Sequence, residues 1–225
     1  MSFILKGIFC IIYNMLKSNT EITSGQISFI IVCAVVAVAL IVVAILLIRA
    51  AYYKKHFTAA YYKKIYKMAV LDDYYLINHF TYTVDDSTRT KIDHILFGDK
   101  FIYVIICKYF DGDISGKDND NSLIYQSKAG KNYYTANPIN EIKNITTNLS
   151  MISGIDPDYM IGLVLVNDNC RVAIQSTSKQ FYVIQKKRLD ALVHAIESRP
   201  LGKMNEKRLY EAVHVIDKLN EKKNG

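Results

Sequence analysis

The chain has 225 residues, 51% hydrophobic and 22% charged, with a net charge of +7 and a pI near 9.0. Cys10, Cys33, Cys107 and Cys170 show no paired spacing and no His at metal-ligand intervals, which argues against a zinc module or a disulfide framework and fits a reducing cytoplasm. The basic balance does not by itself indicate nucleic acid, because much of it lies in one cluster beside an apolar run. Length alone predicts one membrane anchor and one domain of about 150 residues.

In chain order, residues 1–26 are predicted to form an N-terminal interfacial segment. Phe3, Ile4, Leu5, Ile8 and Phe9 crowd around Lys6, but the stretch is too short to span a bilayer, and no small-residue cleavage site follows it. Residues 27–49 are predicted as a transmembrane helix, since Ile27 to Ile48 runs without a charge and is rich in Val, Ile, Ala and Leu. Arg49, Lys54, Lys55, Lys63, Lys64 and Lys67 follow it before the first acid, Asp72; only Lys6, Lys17 and Glu21 precede it. The positive-inside rule then places the N-terminus outside and the larger C-terminal part in the cytoplasm of a single-pass cell-membrane protein. Tyr52 and Tyr53 fall where an interfacial aromatic belt would lie. Residues 50–70 are expected to be a basic juxtamembrane helix with Ala59, Ile65 and Ala69 as its apolar positions. It could lie along anionic lipid or act as a solvated linker.

Residues 71–225 are predicted to be one α/β domain, a central mixed sheet flanked by helices. Tyr74 to Thr83 reads as a strand, 92–108 as a hairpin, and Asp111 to Asn121, rich in Gly and Asp, as a loop. Ser122 to Gln126 reads as a short edge strand. Asn137 and Pro138 open a helix whose apolar face is Ile139, Ile142, Ile145, Leu149 and Ile152. Tyr159 to Asn167 is apolar throughout, as in a strand buried on both faces. Two short strands follow, at Val172–Gln175 and Phe181–Ile184. Two amphipathic helices complete the chain, one on Leu189, Leu192, Val193 and Ile196 and one on Leu209, Val213 and Ile216. No internal repeat and no Gly-rich phosphate loop is present.

The hairpin carries the chemistry. With Gly98 to Phe101 as its loop, Asp93 lies opposite Ile106, and Lys108 is the diagonal neighbour about 7 Å away on the same face. An acid and a lysine converging on one face of a hairpin form part of a phosphodiester-cleaving geometry; the missing part is a second carboxylate where Ile106 stands. His94 and Cys107 point to the opposite face, so His94 is expected in a core or hydrogen-bonding role and Cys107 as a buried, inert thiol.

Asp93 after Ile92 and before His94, the hairpin, the run Val104 to Lys108, Gly112, and Asn137-Pro138-Ile139 together resemble the nuclease-related domain (NERD) family. Asp72 to Asn78 resembles that family's lead-in to its first strand. The resemblance covers roughly residues 58–155. It implies a restriction-endonuclease-like fold and a catalytic set to which Asp93 and Lys108 correspond.

The departures are as informative as the matches. Lys91 stands where family members carry Gln, Ile106 where they carry Glu, and Glu141 where Gln is usual. No acid stands near Ala60 or Tyr61, where a helix Glu is expected. Mg²⁺ or Mn²⁺, the cofactor such chemistry would need, takes carboxylate, water and phosphate oxygens, and a single Asp beside an isoleucine is a poor site for it. Three readings follow. One is a catalytically degenerate binding or scaffolding module, contacting DNA or RNA through Lys91, Lys100 and Lys108. Another is an active nuclease in which Asp111, Asp113 or Glu141 supplies a relocated ligand beside Asp93. The last is a structural membrane protein that recruits a protein partner.

Overall fold

A computed structural model of the protein describes residues 24–55, 57–85 and 88–220, in two compact units divided between Tyr53 and Lys54. The expected interfacial segment lies outside the described residues as far as residue 23. The first unit is carried by helix α1 (Ser24–Lys55). Its stretch Ser28–Arg49 is long and apolar enough to cross a membrane, and Phe29, Val35, Leu40 and Leu47 are exposed along it.

The second unit runs α2 (Phe57–Leu71), β1 (Tyr75–Asp85), β2 (Thr88–Phe97), β3 (Ile102–Lys108), β4 (Gly112–Lys117), β5 (Ser122–Ser127), β6 (Asn132–Ala136), α3 (Pro138–Ser153), β7 (Met160–Val166), β8 (Val172–Gln175), β9 (Phe181–Gln185), α4 (Leu189–Glu197) and α5 (Glu206–Lys218). The central sheet is mixed, in the order β1-β2-β3-β7-β9. Its first three strands are antiparallel and its last three parallel. β7 is buried at every position, as a strand covered on both faces must be. Val164 and Val166 enter one core; Ile161, Leu163 and Leu165 enter the other.

On one face α2 and α4 supply Tyr61, Ile65, Met68, Leu189, Val193 and Ile196. On the other, α3 and α5 pack with Ile114 and Val172 of a second sheet, ordered β6-β5-β4-β8. Gly162 allows α3 to approach closely. A Cβ there would stand 2.7 Å from the Phe181 ring and 2.8 Å from Ile142, so any larger residue would push helix and sheet apart.

The central mixed sheet flanked by helices is as expected; several details differ. Residues 111–121 are not one loop, because β4 lies within them. Ile114 of β4 is buried while Asp113 and Ser115 face outward, a period-two pattern that the Gly and Asp content hides. Gly112 is where β4 meets β5 most tightly, a Cβ there falling 2.1 Å from the Gln126 carbonyl oxygen. β5 is not an edge strand, since it pairs with β4 on one side and β6 on the other. The helix read as juxtamembrane is a core helix of the domain: Tyr61, Ile65, Met68 and Ala69 of α2 are buried, at i, i+4, i+7 and i+8. Ala59, expected among its apolar positions, is exposed.

Asn137 joins the second sheet to α3. Its Oδ1 accepts the Ile139 amide at 3.0 Å as N-cap. Its Nδ2 points at the carbonyls of Lys117 and Asp118, both at 3.2 Å, and of Asp120 at 2.8 Å. Asn137→Ala should therefore cost more than an ordinary cap, about 2–3 kcal/mol, measured by chemical denaturation. A loss below about 1 kcal/mol would mean the cap acts alone.

Candidate functional site where β2 leaves β3

The β2–β3 register pairs Phe97 with Ile102 and His94 with Ile105, and the Gly98 amide donates to the Phe101 carbonyl at 2.9 Å. Continued by one residue, that register sets Asp93 opposite Ile106, as the sequence predicts. The recorded ladder stops at His94, and the Asp93 side chain takes over: its Oδ2 accepts the Cys107 amide at 2.8 Å. A carboxylate thus satisfies a donor that the departing strand no longer reaches.

The departure coincides with an irregularity in β1. His79 has φ +54° and sits between the pairs Asn78–His94 and Phe80–Ile92. Ile77 and Phe80 both contribute to the first core, as do Ile95 and Ile92. Strict alternation would put each pair on opposite faces. Both strands therefore lose their alternation together at His79 and Asp93, while their pairing register runs through unbroken. Left-handed backbone is uncommon for a residue with a side chain, though His is enriched there.

Lys108 does not pair with Asp93. Its Nζ meets Glu141 Oε1, on the first turn of α3, at 2.7 Å, and Asp93 Oδ1 has Lys91 Nζ at 3.7 Å instead. Both contacts are partly or largely exposed, so each is worth little as a stability term. Ile106, the position opposite Asp93, is only 3% exposed and packs in the first core.

The remaining sequence-predicted residues lie elsewhere. Asp111 pairs with Lys128 at 2.6 Å, and Asp113 accepts the Arg171 amide at 3.0 Å. Lys100 sits in the turn before β3, about 20 Å along the strand from Lys108. Its Nζ donates to the Arg199 carbonyl at 2.6 Å, so it shares no surface with Lys91 and Lys108. Among the described residues no group of three or more His, Cys, Asp or Glu is placed to hold a metal ion.

His94 and Cys107 face the second core. His94 Nδ1 lies 2.7 Å from Asn78 Oδ1; since that oxygen can only accept, Nδ1 carries the proton. Nε2 is buried without a partner among the described residues, and the ring centroid is 6.3 Å from those of Tyr62 and His79. Burial pushes the pKa down to about 4. The Cys107 thiol is pushed up by burial and then by the Asp93 charge, which keeps it protonated and inert.

Two residues of this region had no sequence signal. Buried Asn167 accepts the Phe110 amide at 2.9 Å and donates to its carbonyl at 3.0 Å, fixing the chain just beyond β3. Asp168 accepts the Lys187 amide at 2.7 Å and lies 3.4 Å from Lys186 Nζ. Both follow β7, whose apolar run marks the strand but not what its end holds.

Asp93→Ala leaves the Cys107 amide unpaired and should cost about 1–3 kcal/mol, whereas Asp93→Asn, which keeps an acceptor oxygen, should cost less than half of that. Equal losses in urea denaturation would sink this role. His94 gives a pH dependence. Its folded pKa of about 4 lies below the ordinary 6.5, so the unfolded chain takes the proton first as pH falls. The stability this provides is complete above about pH 6.5 and lost toward pH 4, about 3 kcal/mol in all. His94→Gln should flatten the stability profile over that window; an unchanged slope would assign the acid sensitivity to other groups.

The sequence profile of the nuclease-related domain (NERD) family matches residues 51–167, just over half of the chain, from the residues before α2 to Asn167 after β7. Curated proteins give no match. One solved structure, described as a protein of unknown function, AF1548, aligns over 71% of this chain and 95% of its own, with 11% identity and a TM-score of 0.28; at that score the likeness carries no inference. The family match spans the hairpin, Asp93, Lys108, Glu141 and the strands that position them, and the chain belongs to the nuclease-related domain family.

Proposed function

We propose that this protein is a membrane-anchored, cytoplasmic nuclease-related domain that has lost metal-dependent cleavage and works as a binding module for nucleic acid. The observation that carries the reading is Ile106. An apolar side chain packed into the core occupies the position where the family's second carboxylate would face Asp93. The donor set around it does not fit Mg²⁺ or Mn²⁺. One Asp93 oxygen is engaged by the Cys107 amide and the other has Lys91 nearby, while Glu141 is paired with Lys108. A hard divalent ion needs several free oxygens in octahedral array.

The same features suit phosphate contact without cleavage. Lys91 and Lys108 reach solvent at one end of the sheet, and lysine contacts to phosphate carry affinity without sequence preference. Lys100 is left out, because it is tied down at the other end of β3.

The membrane reading rests on α1. Its 22-residue stretch is apolar on every side and exposed along its length, and a helix without a polar face finds no stable place in water. The lysines that follow it favour the cytoplasmic side for the domain.

A second reading keeps catalysis and recruits Glu141, which stands beside Lys108, as a relocated ligand. The deciding experiment incubates the protein with single- and double-stranded DNA and RNA in Mg²⁺ or Mn²⁺, beside Asp93→Asn. The expected result is intact substrate and retention that weakens with salt, with a log–log slope of about −1 per phosphate neutralised, shallower in Lys91→Ala and Lys108→Ala. Divalent-dependent cleavage abolished by Asp93→Asn would establish the second reading. Neither cleavage nor salt-dependent retention would leave a domain that recruits protein.

A further inference from the structure

Helix α2 buries one face and leaves the other unused. Tyr62, Tyr66 and Val70 follow one another at i, i+4 and i+8 on the outer face, with Tyr66 52%, Val70 62% and Leu71 72% exposed. The Tyr62 and Tyr66 rings stack at 5.8 Å between centroids. Lys63 and Lys67 are exposed along one side of this stripe, and Lys64 is held by Asp190. The helix contains no Asp or Glu. Aromatic and aliphatic side chains flanked by exposed lysines make the pattern of a surface that meets headgroups and upper acyl chains.

We propose that this face of α2 docks on an anionic lipid surface. The inference rests on the membrane-spanning reading of α1. Two observations favour lipid as the occupant. The charge is complementary over most of the helix, since Lys63 and Lys67 are exposed and no acid lies within Phe57–Leu71, Asp72 and Asp190 flanking only its C-terminal end. And α2 begins at Phe57, two residues after α1 ends at Lys55. A weak contact tethered in this way is still populated, because the anchor has already brought domain and bilayer together.

The chain has no tryptophan, which makes the test direct. Full-length protein carrying Tyr66→Trp is reconstituted into phosphatidylcholine vesicles, with or without phosphatidylglycerol, whose acyl chains are brominated near the headgroup. Emission should be quenched when phosphatidylglycerol is present and much less in phosphatidylcholine alone. Lys63→Gln and Lys67→Gln should each weaken docking about fivefold. Tyr134→Trp, at a side chain 84% exposed on β6, should stay unquenched in both lipids. Flotation of the same samples separates the two ideas. A chain that fails to float with either vesicle overturns the spanning reading of α1, and the docking falls with it. A chain that floats while Trp at 66 remains bright overturns docking alone. Quenching that ignores lipid charge, or that reaches position 134 equally, also overturns it.

Discussion

The hydrogen bond from the Cys107 amide to Asp93 marks the point on which the architecture turns. Up to His94, β2 and β3 are an ordinary antiparallel pair; beyond it the strands separate, and a buried amide would be left without a partner. One carboxylate oxygen closes that gap at 2.8 Å. Beyond that point β2 continues beside β1 through Lys91, while β3 continues beside β7 to Lys108, which meets the first turn of α3. Asp93 is thus structural before it is anything else, and a family position normally read as catalytic is constrained here by backbone geometry.

Much of this was legible in the residues. Alternation along Ile102 to Lys108 and a short loop at Gly98 to Phe101 fixed the hairpin register to the residue, and with it the placement of His94 and Cys107 on the far face. Asn137 before Pro138 marked a capped helix start, and the apolar run after Tyr159 marked a central strand. These are local signals, so they survive folding unchanged.

What was not legible depended on distant partners or on side chains of mixed character. β4 reads as loop because only Ile114 faces inward; its polar residues pair with β5 and β8 by backbone alone. Tyr61 looks like one of several surface tyrosines, yet it is fully buried on the inner face of α2, where its ring fills the core as a large apolar surface. The partner of Lys108 lies 33 residues away in sequence and could not be chosen over Asp93 without the packing of α3. The change of face at His79 left only a faint trace, Ile77 and Phe80 three apart where alternation asks for an even number.

The pairing of Lys108 with Glu141 has a consequence for how such a site changes over generations. If the domain descends from a cleaving ancestor, the route back is not a single step. A carboxylate restored at 106 would enter a dry core position next to a lysine whose charge is already answered, so it would carry a desolvation penalty with little to offset it. Removing Glu141 first would free Lys108 but remove its present partner. Because that exposed pair contributes little to stability, losing Glu141 is close to neutral; a carboxylate at 106 is favoured only once Glu141 is gone, so the two positions are epistatic and the order of the changes matters.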